Sequence, residues 1–367
     1  MAPPRPGVNR RCGMTSDYLG RLVNRDDLRG FLQDRFGPAS TYSIDRHSEG
    51  HSNETLFVVW GDRELVIRRP PPGETADTAH DVTREARVTR ALVETPVPAP
   101  DPLAVCEDHA IMGSDFYVME RLDGDVLRDD ELARFGTADT RRALATELVD
   151  SLVAVHDVNP EAVGLDEFGR PDGYTRRQVT RWTKQLEWAF DTTHAVREVP
   201  ALVAVGDWLE ANLPTTHPET LVHGDFKLDN VMFAPGTSPE AIAIFDWEMS
   251  TLGDPLTDLG WLLLFWQDDG DPAVAIPELF PSFTTRDGYP SRQELISHYE
   301  RQAGREFTNG RFYRVLAAYK MAALGEMFLA RHLNDDADDP LYPTMETAVP
   351  RLAEQALAFA QGDTDAL

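Results

Sequence analysis

Residues 221–233 read LVHGDFKLDNVMF and crowd His223, Asp225, Lys227, Asp229 and Asn230 between two short apolar runs suited to strand. A polar loop held between two strands can aim several side chains at one point. Downstream, AIAIFDWEMSTLGDPLTDLGW (241–261) runs an apolar strand straight into Asp246. An ionised carboxylate at the end of a buried strand is costly unless a cation or donors compensate it, so Asp246 is a candidate cation ligand. A cap on the turn that follows is the other reading of the same residue.

Toward the N-terminus the texture is β. TYSIDRHS, a polar EGHSN, ETLFVVW, the hairpin signal Gly61-Asp62 and RELVIRR read as three antiparallel strands over 41–69. The run PPPG at 70–73 stops the third strand. Residues 77–92 space Ala79, Val82, Ala86, Val88 and Leu92 as a moderately amphipathic helix ending before the Pro-rich 96–102. LAVCE and DFYVMERL add two strands, which gives a five-stranded antiparallel sheet carrying one helix. After Gly124 the periods become helical, at 138–157, 175–192, 198–212, 255–266, 291–304, 311–331 and 343–361, with LVHGD, NVMF and AIAIF as the few short strands. The expected fold is therefore α+β, with a sheet lobe over 14–122, a mostly helical lobe over 123–367 and a hinge near 123. No internal repeat, low-complexity tract or long linker interrupts it.

Composition narrows the partners. The net charge of −27, from 35 Lys+Arg against 62 Asp+Glu, argues against nucleic acid and anionic membranes. Lysine occurs only at Lys184, Lys227 and Lys320. An acidic, lysine-poor surface suits a halophilic setting, where salt screens the self-repulsion. Cys12 and Cys106 lack any disulfide or zinc spacing, and no apolar run approaches the roughly 20 residues of a membrane span, so a cytoplasmic protein is expected. Residues 1–13 carry Arg5, Arg10 and Arg11 without an acid and lack a signal-peptide core, so they are expected to be unstructured, with Met14 the natural start.

HGDFKLDN has the form H-x-D-x-K-x-x-N, the catalytic-loop spacing of kinases, in which the Asp orients an acceptor hydroxyl and the Asn binds magnesium. Those residues are Asp225 and Asn230. Lys227 stands two positions after the Asp, in reach of a transferring phosphoryl group. Asp229-Asn230 alone would also suit a turn at a strand start. His223 is expected to hold the loop by hydrogen bonding, and His156 to be a satisfied core histidine. Asp254 and Asp258 serve equally as site residues or as charges on a helix N-terminus.

HGDFKLDN followed by FDWEMSTLGDPLTDLGW resembles the aminoglycoside phosphotransferase and choline kinase family. GHSNETLFV, LVIRRPPPG, YVMERLDG and FGRPDGYTRRQVTRW are similar to the branch related to kinase-like domains joined to some acyl-CoA dehydrogenases, and the likeness runs from about 25 to 361. The resemblance implies a two-lobed, protein-kinase-like fold that binds ATP. It implies Asp225 as catalytic base, Asn230 and Asp246 as magnesium ligands, and Glu85 as partner of a third-strand cation. That cation is Arg68 where most kinases have Lys, and its planar fork would clamp the α/β phosphates with different geometry. In SEGHSNET the resemblance implies phosphate contacts from Ser48, Gly50, Ser52 and Asn53, although a plain hairpin turn fits too. Met119, Glu120 and Leu122 would form the adenine-facing hinge.

GRPDGYTRRQVTRWTKQ holds Arg170, Arg176, Arg177 and Arg181 in an otherwise acidic chain. Thr175 and Gln178 have capping-box spacing, so a helix is expected to start there with Arg177 and Arg181 on one face beside Trp182. Either these arginines form solvated ion pairs or they read an anionic acceptor. The expected function is ATP- and magnesium-dependent phosphoryl transfer to the hydroxyl of a small molecule, a hydroxy acid or a hydroxyacyl-CoA. The alternatives are an antibiotic kinase, which needs an acidic acceptor pocket, and a nucleotide- or metabolite-binding pseudokinase.

Overall fold

The computed structural model describes residues 15–47, 53–72, 81–170, 172–215, 219–336, 339–363 and 367. The expectations for 1–13, Met14 and Ala79 lie outside them. The chain is α+β and divides into two compact units, one of residues up to Val93 plus Pro100–Leu122, the other of Glu94–Ala99 and everything from Asp123.

The first unit contains α1 (Thr15–Leu22), α2 (Arg25–Phe36), β1 (Tyr42–His47), β2 (Glu54–Trp60), β3 (Arg63–Arg69), α3 (Val82–Leu92), β4 (Pro102–Cys106), the single-turn α4 (His109–Met112) and β5 (Phe116–Glu120). The strands form one antiparallel sheet in the order β1-β2-β3-β5-β4. Gly61, at φ 62°, opens the turn between β2 and β3 in a conformation that costs a glycine little. Along β2, Leu56, Val58 and Trp60 are buried at every second position, as pleating requires, and pack with Leu22, Leu28 and Leu32. The sheet face is thus covered by α1 and α2, so this unit carries more helix than the single α3 expected. Asn24 caps α2 by accepting from Asp26 N, and Asp81 caps α3 by accepting from Arg84 N.

The second unit comprises β6 (Asp125–Val126), α5 (Ala138–His156), α6 (Tyr174–Thr193), α7 (Pro200–Ala211), β7 (Thr220–Val222), β8 (Val231–Phe233), β9 (Ala241–Ile244), β10 (Thr251–Gly253), α8 (Leu256–Phe265), α9 (Arg292–Ala303), α10 (Gly310–Leu333) and α11 (Met345–Gln361). Its small sheets pair β6-β8-β9 and β10-β7, all antiparallel. Ile244 N donates to Pro98 O at 2.7 Å, which ties the 94–99 segment to this unit. The 24-residue α10 is buried along most of its length and packs on α6, α8 and α11. Gly260 lets α8 come close: a Cβ there would lie 2.7 Å from the Tyr313 carbonyl.

One local expectation is corrected. Helix α6 starts from Gly173, in the left-handed conformation, with no side-chain cap, and Thr175 is buried in the first turn instead of pairing with Gln178. Among the described residues, no helix is long and apolar enough to cross a membrane.

Candidate active site

The 221–233 stretch folds as β7, a polar loop, a short 3-10 turn at Leu228–Asn230, and β8. Phe226 and Leu228 are buried, so the intervening polar residues are displayed by anchors that alternate with them. His223 is fully buried and bridges the loop to the end of β9. Its Nε2–H donates to Phe245 O at 2.8 Å, while Nδ1 accepts from Asp225 N at 3.2 Å. Two fixed partners of opposite kind select the neutral tautomer, and burial pushes the imidazole below its ordinary pKa. Phe245 N in turn donates to Asn230 O at 2.8 Å. Asp246 is thereby brought beside the loop.

Beneath the loop lies Asp258 in the first turn of α8, 1 % exposed. Its Oδ2 accepts from His223 N at 2.6 Å and Oδ1 from Gly224 N at 2.8 Å. His156 Nε2 is 3.3 Å from Oδ2, and His156 Nδ1 is 2.8 Å from Tyr299 OH. Burial alone would raise the Asp258 pKa, but the hydrogen bond and charge of His156, with the His223 side chain and amide, hold it below the carboxylate range. Asp254 is buried as well, accepting from Leu256 N and from Tyr313 OH at 2.7 Å. Sequence spacing could not separate these two roles, because every side of α8 is apolar enough to be inside.

Asp225, unlike the buried Asp254 and Asp258, is part-exposed, with 23 % of its side chain open. Trp261 Nε1–H donates to Oδ1 at 2.8 Å and Asn230 Nδ2 to Oδ2 at 2.9 Å. Asn230 Nδ2 also donates to Asp225 O at 2.8 Å, which commits the amide nitrogen and makes its oxygen the candidate ligand atom. Lys227 Nζ lies 2.6 Å from Asp229 Oδ2 and 3.9 Å from Asp225 Oδ2. Burial would lower its pKa, yet Asp225, Asp229 and Asp246 together raise it, so it is an ammonium.

Asp246 has φ 61° and ψ 54°, a left-handed backbone uncommon outside glycine, and makes no side-chain cap hydrogen bond to the 3-10 turn Trp247–Met249. Capping is therefore not its use. Among the described residues, no group of three or more His, Cys, Asp or Glu could hold a metal. Asn230 and Asp246 offer two hard oxygens, a set that fits magnesium, which commonly takes one or two side chains and completes its shell with phosphate and water.

In the first unit, Arg68 Nη2 is 3.2 Å from Glu85 Oε1, with 12 % and 3 % of the two side chains exposed. The strand cation and helix acid are thus paired. Asn53 is buried at the start of β2, whereas Ser48, Gly50 and Ser52 lie outside the described residues. Glu120 is exposed at the end of β5, 3.4 Å from Arg63, and Leu122 is half-buried where the unit ends. On α6 the Arg177 guanidinium donates to the carbonyls of Arg170 and Asp172, and so fastens its own loop. Arg176 pairs with Glu210 at 2.9 Å as a surface ion pair. Arg181 is exposed and lies 5.3 Å from the centroid of the buried Trp182 ring.

Comparison with known proteins identifies the family and the fold. Residues 43–295 match the phosphotransferase enzyme family. Acyl-CoA dehydrogenase family member 11 of Rattus norvegicus is 35% identical over 345 residues, covering 91% of this chain and 42% of the relative. Probable acyl-CoA dehydrogenase IBR3 of Arabidopsis thaliana is 31% identical, covering 88% and 39%. The chain thus spans about two fifths of the length of these relatives. A protein of the aminoglycoside phosphotransferase type from Ralstonia eutropha superposes with a TM-score of 0.78 at 29% identity, covering 92% of this chain and 98% of its own. Aminoglycoside phosphotransferase APH(4)-Ia, in a ternary complex with AMP-PNP and hygromycin B, shares the fold at a TM-score of 0.58 and 18% identity, covering 92% and 99%. By the extent of the family match, the chain belongs to the phosphotransferase enzyme family.

Proposed function

We propose that the chain transfers the γ-phosphoryl group of ATP, with magnesium, to the hydroxyl of a small anionic molecule, a hydroxy acid or a hydroxyacyl-CoA. The observation that carries this reading is Asp225, a part-exposed carboxylate oriented from both sides by Trp261 and Asn230. A carboxylate so held can accept the proton of a bound hydroxyl and fix the direction of its attack. Asn230 and Asp246 would hold magnesium, which when bound neutralises charge on the phosphates. Lys227 adds a fixed positive charge beside Asp225, and Arg68 with Glu85 is the candidate phosphate clamp. For the acceptor, Arg181 over Trp182 supplies a cation with an apolar backing, and Arg177 shapes the loop before it. The acyl-CoA dehydrogenase relatives support an acyl-CoA as the carrier of the hydroxyl. The test is transfer from labelled ATP, in magnesium and high salt, against hydroxy acids, hydroxyacyl-CoAs and aminoglycosides. Transfer to aminoglycosides alone would replace the acceptor class, and transfer to none would make the chain a binding protein.

Two substitutions examine the parts. Asp246→Asn keeps a side chain that tolerates the left-handed backbone but removes the charge, so the tightening of ATP binding by magnesium should disappear. Calorimetry that finds the same magnesium effect in variant and parent removes Asp246 as a ligand. Arg181→Ala should weaken the anionic acceptor by about 1.5 kcal/mol, roughly tenfold, with ATP binding unchanged. Equal acceptor dissociation constants at fixed salt would leave Arg181 as surface charge.

A further inference from the structure

Lys320 is one of the three lysines of the chain and sits on α10, 8 % exposed, between buried apolar neighbours Ala317, Tyr319, Met321 and Ala323. A buried ammonium is costly, and among the described residues no carboxylate lies in ion-pair range of it. Its Nζ donates to the Gly224 carbonyl and lies 3.6 Å from the centroid of Trp261 and 5.8 Å from that of Trp182. Trp261 is the side chain whose indole N–H donates to Asp225 Oδ1. Gly224 is the residue before Asp225, and its N–H is already committed to Asp258.

We propose that Lys320 is a positioning residue for the base: it pins the Gly224 carbonyl and braces the Trp261 ring, and through these two contacts aims the Asp225 carboxylate. This inference rests on the phosphotransfer reading of Asp225. Gly224 is thus held on opposite sides of the peptide chain, by a carboxylate at its N–H and by an ammonium at its C=O. The approach of α8 to α10 at Gly260 sets the Trp261 face against the ammonium, an arrangement in which the ring's negative face attracts the cation. A cation on that face also polarises the indole N–H and strengthens its donation to Asp225. Removing the charge should therefore loosen the carboxylate without touching the nucleotide. The charged groups facing Lys320 are Asp225 and Asp258, which favour its proton, and Arg181 and Lys227, which oppose it; burial outweighs them and brings its pKa down to about 8. Its charge is thus lost over a range where an enzyme can be assayed.

The test compares Lys320→Met, Lys320→Arg and Trp261→Phe with the parent. Lys320→Met should lower kcat by about 10- to 100-fold, the scale of a small misplacement of a reacting group, with KM for ATP unchanged. The parent should lose kcat with a midpoint near pH 8, Lys320→Met should lack that limb, and Lys320→Arg should recover most of kcat with the limb moved to higher pH. Trp261→Phe, which leaves the buried charge in place, should reproduce the Lys320→Met loss, so the inference stays testable where the methionine variant folds poorly. An activity-independent readout is the Trp261 indole N–H resonance, assigned by its loss in Trp261→Phe. It should shift between pH 7 and 9 in the parent and stay constant in Lys320→Met. A parental kcat and pH profile in Lys320→Met, or an indole resonance that ignores the substitution, would overturn the proposal. If the parent transfers to no acceptor, the phosphotransfer reading fails, while the resonance still decides whether Lys320 governs the Trp261–Asp225 contact.

Discussion

Asp225→Asn should lower phosphoryl transfer by about two to four orders of magnitude while ATP binding and the melting temperature stay close to those of the parent. The substitution preserves shape but not polarity. Both carboxylate oxygens of Asp225 accept, one from Trp261 and one from Asn230, and an asparagine can offer only one oxygen to these two donors. Its amide nitrogen must face one of them, so the side chain turns as well as losing its basicity. Single-turnover transfer and nucleotide titration separate the two effects. Near-parental turnover in this variant would remove Asp225 as the base.

The second large effect is on stability. Asp258→Ala leaves the His223 N–H, the Gly224 N–H and His156 without their acceptor inside the fold, which should cost about 3–5 kcal/mol. Urea unfolding measures it, and a loss below about 1 kcal/mol would mean that water or a neighbour replaces the carboxylate. The pH dependence has a definite sign. Because the folded pKa of Asp258 is depressed, its contribution is present above the unfolded value of roughly 4 and is lost as pH falls through the folded one. His223 is also depressed, so the unfolded chain gains its proton below about pH 6.5 while the fold resists it. Both groups withdraw stability on acidification. Removing Asp258 should therefore lower the midpoint and also flatten its decline toward acid.

What could be read from the sequence was what is local. The strands of the first unit announce themselves through alternation and through the Gly61-Asp62 turn, which is enough for a five-stranded sheet but not for its order, in which β5 lies between β3 and β4. Helix α2 escapes because half of RDDLRGFLQDRF is charged, and it contains Gly30 and buries only Leu28 and Leu32, too few apolar positions for a clear period. The start of α6 misled because Thr175 and Gln178 had the right spacing while the left-handed Gly173 made the turn. At the site, Asp225, Asn230 and Asp246 stand within short motifs and are brought together by His223 and Phe245. The residues that steady them come from 34 to 96 positions away: Asp258, Trp261 and Lys320. No spacing rule reaches that far. Asp258 was visible as a candidate within the motif, and for Lys320 the hint was the scarcity of lysine, since a chain that avoids the residue keeps this one inside its core.

Gly224 separates two kinds of information within the opening motif. Its φ of 83° and the 2.6 Å that would part a Cβ from the Met249 carbonyl fix the residue by backbone shape alone. His223, Phe226 and Leu228 are likewise fixed by burial and by bridging to β9. Half of HGDFKLDN is therefore a signature of how the loop folds, and in the phosphotransfer reading proposed above only Asp225, Lys227 and Asn230 report on chemistry. A descendant that abandoned transfer would be under pressure to keep the first group and free to drift in the second. Ancestry and, in that reading, activity are thus written in different letters of the same eight residues, and a search that scores them together will recover dead relatives as readily as living ones.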